Sequence, residues 1–511
     1  MKKTILFAAL PLCSLSMAPQ QSMSSDQEQD KPIKKPNILL IVSDDLNTRI
    51  GPYMDIDNHT PHLDRLAQRG VIFSRAYCQY PISGPSRASF MSGLYPETNG
   101  VLGNNTSLGS YRVETSALSD HPSMAGFFRD RGYYTARVSK IYHMGVPGGI
   151  ERGDAGGDDP DSWDYAYNVL APETLSQGKL ERLSPKNPHY GSNFSQMIIS
   201  DELDFTQADY LAASQAIAIL ENRTGKVPED GTNLQRIKRD DPFFLAVGFV
   251  RPHVPFIAPE RNFEPYPLDQ VELPSVVVGD NVPDQALARQ NDRIFGMNEE
   301  QQRKAIRGYM ASVRFMDEQV GRLLDALDRL GIRDETIVIF LSDHGYNLGE
   351  HDCWSKVSLW EGSVRAPLII SVPGEEYQDN QGTTCKSIVE FIDLYPTLAD
   401  LCGLHTEIPD VLQGNSLYKY IKDSGAGNNS GYAYTITNRG NAGTLRTDRW
   451  RYTRWGEDIQ KGNEELYDHY HDPEEHINLA GDPGRLAIMK EMRTKYEAAR
   501  NKARSGLERL N

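Results

Sequence analysis

The chain has 511 residues and a formal net charge of -16, from 54 basic and 70 acidic side chains. So acidic a protein is a poor partner for nucleic acid, and it repels an anionic substrate unless positive charge is gathered in one pocket. Its hydrophobic fraction of 39% and charged fraction of 24% are ordinary for a globular fold, and its length accommodates one large domain with a smaller one.

Lys2 and Lys3, the apolar run Thr4 to Leu12 and the small residues after it read as a secretion signal over residues 1–19. That implies export, to the periplasm in a bacterium, and Cys13 at the end of the run offers lipid anchoring as an alternative. Residues 20–36 are polar and bury nothing, so a disordered tether is expected there. No later segment has the length and apolarity of a transmembrane helix. Cys78, Cys353, Cys385 and Cys402 form no C-x-x-C pair, which argues against zinc ribbons and thioredoxin-type redox sites, and one bridge in the exported protein is an option.

Asn37 to Ser43 is a continuous apolar, β-branched run, the pattern of a strand buried on both faces of a parallel sheet. It ends in Asp44-Asp45, where open α/β sheets place ligands. Adjacent acids repel, and a hard divalent cation relieves them; two solvated loop aspartates are the plainer alternative. Thr60-Pro61 opens a helix that Gly70 closes, with Thr60 as its cap, Pro61 at its first position and His62 structural.

Ser83-Gly84-Pro85-Ser86-Arg87-Ala88-Ser89-Phe90-Met91-Ser92-Gly93 follows. Pro85 fixes φ and favours an extended approach for Ser83, Ser86 is placed to cap the next helix, and Arg87 in its first turn offers a permanent planar cation. Gly84 to Ala88 also approximates a G-x-S-x-G elbow with Ser86 as nucleophile, but Pro81 interrupts the strand an elbow requires.

Ser123 to Arg131 is a predicted helix and Tyr133 to Val138 a strand, after which Lys140 and His143 leave the strand end three residues apart. From Met144 to about Asp241 periodicity is weak, apart from a helix over Gln207 to Glu221. The acidic stretch Asp154 to Asp164 fails the calcium-hand template and reads as a solvated loop. Such excursions from an α/β scaffold shape pockets.

Phe243 to Phe249 is a further buried strand. It delivers Arg251-Pro252-His253-Val254-Pro255, whose prolines hold His253 extended as an acid or base, or as a satisfied core imidazole. Glu299 to Leu330 has the spacing of one long amphipathic helix, with its Met and aromatic residues in the core. The run Glu335 to Ser342 then ends in Asp343-His344, mirroring Asp44-Asp45, so that three carboxylates and an imidazole can surround one ion. Oxygen-rich ligation favours Ca²⁺ or Mg²⁺, while His344 admits Mn²⁺ or Zn²⁺. Gly345 and Gly349 let the loop return Lys356 to this place, with Cys353 as packing.

Ala366 to Gly374 is one more strand and Glu390 to Leu401 a helix. Residues 422–431 read as a linker. Beyond it, Tyr432 to Thr437, Leu445 to Trp455 and Glu465 to Asp468 are expected strands and Pro483 to about Arg504 a closing helix. The expected fold is α/β: a large, mostly parallel mixed sheet between helices over residues 37–421, with a small antiparallel α+β subdomain over residues 432–511.

Ser83 with Pro85-Ser86-Arg87 and Gly93 resembles the signature of type I sulfatases, in which the residue at Ser83 is oxidised to formylglycine. Ser139 to His143, Arg251-Pro252-His253, and Ser342 to Gly345 with Trp354-Ser355-Lys356 extend the resemblance. His344, where arylsulfatases generally carry Asn, points to the iduronate-2-sulfatase-like branch. The resemblance implies an alkaline phosphatase/sulfatase-like fold and a cation, Ca²⁺ or Mg²⁺, on Asp44, Asp45, Asp343, His344 and modified Ser83. It implies that Arg87 and Lys140 steady the aldehyde hydrate, His253 with Lys356 protonates the leaving alcohol, and His143 releases sulfate. The implied substrate is a glycosaminoglycan oligosaccharide, of heparin or heparan or of chondroitin or dermatan type, carrying 2-O-sulfate on a uronic acid; the implied partner is a formylglycine-generating enzyme. A phosphate or phosphonate ester hydrolase, and a glycan-binding protein with unmodified Ser83, are the alternatives. Ser83 stands where animal members carry Cys, a bacterial pattern, and Arg251 replaces the more usual Lys.

Overall fold

The apolar runs read from the sequence lie at the centre of one eight-stranded sheet. The structure is a computed structural model that describes Met1 and residues 35–54, 59–105, 107–223, 241–279, 281–426, 431–459 and 462–510. The expected signal and tether, with Cys13, lie outside the described residues apart from Met1, Lys35 and Pro36, and so do residues 427–430 of the linker. Among the described residues no helix is long and apolar enough to cross a membrane.

In chain order the strands are β1 (Asn37–Asp44), β2 (Val71–Tyr77), β3 (Tyr134–Ser139), β4 (Tyr165–Tyr167), β5 (Glu181–Arg182), β6 (Ser195–Ile199), β7 (Phe243–Pro252) and β8 (Phe256–Pro259). They continue with β9 (Thr336–Ser342), β10 (Asn347–Leu348), β11 (Trp354–Ser355), β12 (Leu368–Ser371), β13 (Thr383–Glu390), β14 (Ala433–Thr437), β15 (Ala442–Arg446), β16 (Trp450–Trp455) and β17 (Glu464–Asp468). The large sheet has the order β13-β2-β12-β9-β1-β7-β3-β4. Only β12 runs against its neighbours; every other pairing is parallel.

Alternation in β1 explains the layering, since successive side chains of a strand face opposite ways. Leu39 and Ile41 pack with Tyr309, Met316 and Leu323 of the helix Glu299–Leu330. Ile38, Leu40 and Val42 pack on the other face with Met91, Phe127, Phe128 and Leu398. Each such side chain, wholly withdrawn from water, contributes roughly 2 kcal/mol. The helix Glu299–Leu330 begins at a capping box, Asn298 with Gln301, and ends at Gly331 in the left-handed region.

Several expectations are corrected. The helix Pro61–Gln68 is not capped by the Thr60 side chain, which accepts the Gly51 N–H instead. Asp317 of the long helix takes the free N–H groups of His62 and Leu63, at 3.1 and 2.8 Å, so a tertiary carboxylate replaces the local cap. The acidic stretch is only partly a solvated loop: Asp158 and Asp159 are buried on Arg137 and Arg112. Glu390 closes β13, and the helix after it spans Leu394–Leu401. Leu445 to Trp455 is not one strand but β15 and β16 folded about Thr447 to Arg449.

The small sheet is an antiparallel meander, β14-β15-β16-β17, covered by the helix Leu486–Arg504 through Met489, Met492 and Tyr496. It is stitched to the large sheet where Ile436 N–H meets Gln79 O at 3.0 Å and Tyr434 N–H meets the Glu390 carboxylate at 2.9 Å. Among the described residues Cys78, Cys353, Cys385 and Cys402 form no disulfide.

Candidate active site

The carboxyl ends of β1 and β9 lie side by side, in register from Asn37–Thr336 to Ser43–Ser342. Their exits are locked together. Asp343 N–H donates to Ser43 O and Asp45 N–H to Asp343 Oδ1, both at 3.2 Å, and Ser342 Oγ accepts the Leu46 N–H at 2.9 Å. Asp44, Asp45, Asp343 and His344 are thereby gathered, fully buried, with one ligand atom of each within 4.8 Å of the others.

This set fits a metal ion. His344 Nδ1–H donates to Gly345 O at 2.8 Å, which leaves Nε2 bare and turned inward, 3.4 Å from Asp45 Oδ1 and 3.6 Å from Asp343 Oδ1. Asp45 Oδ2 is buried with no hydrogen-bond partner, an acceptor that protein donors do not satisfy. Three carboxylates and an imidazole are a donor set for a hard or borderline divalent cation.

Ser83 stands beside the cluster, its hydroxyl donating to Asp44 Oδ1 at 3.0 Å and lying 3.4 Å from His344 Nε2. The helix that carries it spans Ser83–Ser92, so the expected extended approach is corrected: Ser83 is already the first helical residue. Ser86 is no cap; its hydroxyl donates to Asp343 O. Arg87, one turn further on, faces inward beneath Ser83. Its Nε donates to Asp343 Oδ2 at 2.8 Å, and Nη2 is 3.5 Å from Asp44.

Lys140 reaches Asp44 from the end of β3, and Lys356 reaches Asp45 Oδ1 at 2.5 Å. The approach of Lys140 depends on Gly248 in β7, where any Cβ would overlap the Lys140 carbonyl. Arg87, Lys140 and Lys356 are thus paired with the three carboxylates, so the side-chain charges about balance, and a divalent cation in the cage would leave the site net positive within a protein of overall charge -16.

Burial opposes ionisation of Asp44, yet Lys140, Arg87 and Lys356 together hold its carboxyl well below the usual range. Burial pushes Asp45 up, with Lys356 pulling against it and Asp44 adding to it. Burial lowers the Lys140 ammonium despite Asp44. Burial, followed by Lys140, keeps His143 neutral, and its Nδ1 has no hydrogen-bond partner. Burial and then Lys356 keep His253 neutral; its Nδ1–H donates to Val254 O at 2.7 Å, and Nε2 faces Asp45 Oδ2 at 3.9 Å. His253 sits in a bend, its N–H on Val250 O, rather than in the extended segment expected.

The structure therefore gathers Asp44, Asp45, Ser83, Arg87, Lys140, His253, Asp343, His344 and Lys356 by direct contact, with His143 in their field. Sequence reading missed Tyr309, whose hydroxyl accepts the Asn47 N–H at 2.7 Å and donates to Asp45 O at 2.9 Å. Tyr309 occupies an apolar position of the long helix, so its spacing signals core, and nothing local signals the hydroxyl's task. The same side of the sheet holds a cavity of about 460 Å³ lined by Arg49, Asn347, Trp360, Arg365 and residues from both C-terminal and loop segments.

Fold and site together define a hydrolase of anionic esters: a place for a hard cation, a hydroxyl beside it and three cationic side chains on its carboxylates. Residues 36–404 match the family model described as sulfatase, and the chain belongs to that family; residues 349–502 also match the C-terminal model of N-sulphoglucosamine sulphohydrolase. A sulfatase of Formosa agariphila is 31% identical, over 94% of this chain and 89% of its own. The iduronate 2-sulfatase of Homo sapiens is 31% identical over 78% of this chain and 74% of its own. A phosphonate monoester hydrolase of Agrobacterium radiobacter shares the fold, with a TM-score of 0.68 at 20% identity, over 92% of this chain and 96% of its own. Membership makes the protein a hydrolase of sulfate esters.

Proposed function

We propose that the protein removes 2-O-sulfate from uronic acid residues of glycosaminoglycan oligosaccharides, with Ser83 oxidised to formylglycine and Ca²⁺ or Mg²⁺ on Asp44, Asp45, Asp343 and His344. The observation that carries the reading is the Ser83 hydroxyl lying between Asp44 and His344 with Arg87 and Lys140 behind it. The 31% identity to a human iduronate 2-sulfatase supports the uronate preference, as does His344. Export to the periplasm and a separate enzyme that oxidises Ser83 belong to the same reading.

A cation in this cage would polarise the sulfate oxygens, and hydrated formylglycine would supply the attacking oxygen. The chain's own residues divide the remaining work. Lys140 and Arg87 grip Asp44 and Asp343 and so hold the shape of the cage. Lys356 faces the sulfate and leaving oxygen. An anion beside His253 offsets the Lys356 field, so Nε2 gains the proton that it passes to the departing sugar alcohol. Neutral His143, with Nδ1 unengaged, takes a proton from the nucleophilic centre when sulfate leaves.

Initial rates on disaccharides sulfated at single positions test the reading: it predicts highest kcat/KM for uronate 2-O-sulfate, and preference for an amino-sugar sulfate would overturn it. The ester-hydrolase alternative gains a specific observation from the shared fold with a phosphonate monoester hydrolase. Faster turnover of aryl phosphate or phosphonate than of aryl sulfate would favour it.

A further inference from the structure

We propose that Glu173 is a positioning residue for His253, holding the loop that aims its imidazole at the reacting centre; this rests on the reading of His253 as proton donor to the leaving alcohol. Glu173 lies in the weakly periodic excursion after β3 and is wholly buried. Its carboxylate grips the Arg251 guanidinium in a bidentate pair, Oε2 to Nη1 at 3.1 Å and Oε1 to Nη2 at 3.0 Å. Such a fork fixes orientation as well as distance.

Arg251 is in turn the anchor of the His253 loop. Its Nε donates to Ile257 O at 3.1 Å, so one side chain ties the loop's entrance to its exit. Its carbonyl accepts the Ser43 hydroxyl at 2.8 Å, which joins it to the strand bearing Asp44. The N–H groups of Val250 and Arg251 end on the two oxygens of Asp209, at 2.7 and 3.1 Å. Between these ties His253 has little freedom: its N–H is bonded to Val250 O and its Nδ1–H to Val254 O.

Glu173 adopts a left-handed φ of 39°, a conformation that costs energy in a residue with a Cβ and persists where the surroundings over-determine it. A buried ion pair adds little stability over an apolar pair of the same shape, so a function in orientation accounts for its presence better than stability does. A proton donor misaimed by about 1 Å loses about 10²-fold in rate.

The test compares wild type, Glu173→Gln and His253→Asn on two substrates. One is the best sulfated disaccharide of the panel, whose alcohol needs a proton to leave; the other is 4-nitrophenyl sulfate, whose phenolate does not. The double variant Glu173→Gln with Arg251→Met, which strands no buried charge, stands in if the single variant does not fold. The expected result is a kcat loss of about 10²-fold on the disaccharide, with KM within about threefold, and a change within about threefold on the aryl sulfate. His253→Asn is expected to show the same selectivity. Equal losses on both substrates, or no loss, in the Glu173 variant while His253→Asn remains selective would overturn the positioning role alone. A His253→Asn variant without selectivity removes the proton-donor reading and the inference with it. Failure of both Glu173 variants to fold makes Glu173 a folding residue and also overturns the proposal.

Discussion

At the scale of single residues, the site holds its geometry by accepting backbone strain. Asp45, Ser139, Ser355 and Val357 all have φ between 61° and 72°, and three of these four flank the lysines that reach the cluster. Val357 is the clearest case, since a β-branched side chain is worst suited to the left-handed region. Its N–H nevertheless bonds to Pro81 O at 3.1 Å, tying the Lys356 loop to the entrance of the Ser83 helix. Val357→Asn, which tolerates this φ, is expected to raise unfolding free energy by about 1 kcal/mol in denaturant titrations; a loss of stability would contradict the strain. Asp44, Asp45, Asp343 and His344 were legible because each pair ends a continuous apolar run. Glu173, Asp209 and Tyr309 were not, because their roles are set by partners 78, 41 and 264 positions away.

At the scale of elements, the helix Ser83–Ser92 is held at both ends. Arg87 and Ser86 bind Asp343 near its start, and His121 Nε2–H donates to Ser92 O at 2.7 Å near its finish. Burial holds His121 down at about 4, with the Ser92 carbonyl acting in the opposite sense and Arg112 adding to the fall. A depressed histidine gives stability that is complete above its unfolded value of about 6.5 and is lost as pH falls toward 4. His121→Asn removes that titration. The stability difference between wild type and variant is therefore expected to shrink by roughly 3 kcal/mol from pH 7 to pH 4; a difference independent of pH would show that His121 is not neutral and buried as described. Elements with uniform patterns, such as β1, β7, β9 and the helix Glu299–Leu330, were legible. β13 was not, since Thr383 to Ser387 are mostly polar and its apolar end runs straight into a helix. The cap of the helix Pro61–Gln68 was misassigned to Thr60 because Asp317, its real source, is distant in sequence.

At the scale of the whole molecule, an acidic protein gathers Arg87, Lys140 and Lys356 at the carboxyl end of its central strands, and a cation bound in the cage would add to them. A ligand that binds only the folded state stabilises it by mass action, about 2.7 kcal/mol at a hundredfold excess over Kd. Chelation is thus expected to lower Tm, and Ca²⁺ or Mg²⁺ to restore it; a Tm indifferent to both would speak against a metal in this cage. The division into a large α/β sheet and a small antiparallel one was legible from strand patterning. The seam between them was not, because the contacts at Gln79 and the buried Glu390, and the cluster that joins Tyr80, Tyr95 and Ile392 to Tyr434 and Ile436, bring together residues far apart in sequence.

The central claim, that a serine beside a cation cage is converted into the nucleophile of a sulfatase, is tested most directly by the mass of the peptide containing Ser83 in protein purified from the organism that encodes it. Oxidation to formylglycine predicts a peptide lighter than the encoded one by two hydrogens. A peptide of the unmodified mass throughout an active preparation would contradict it.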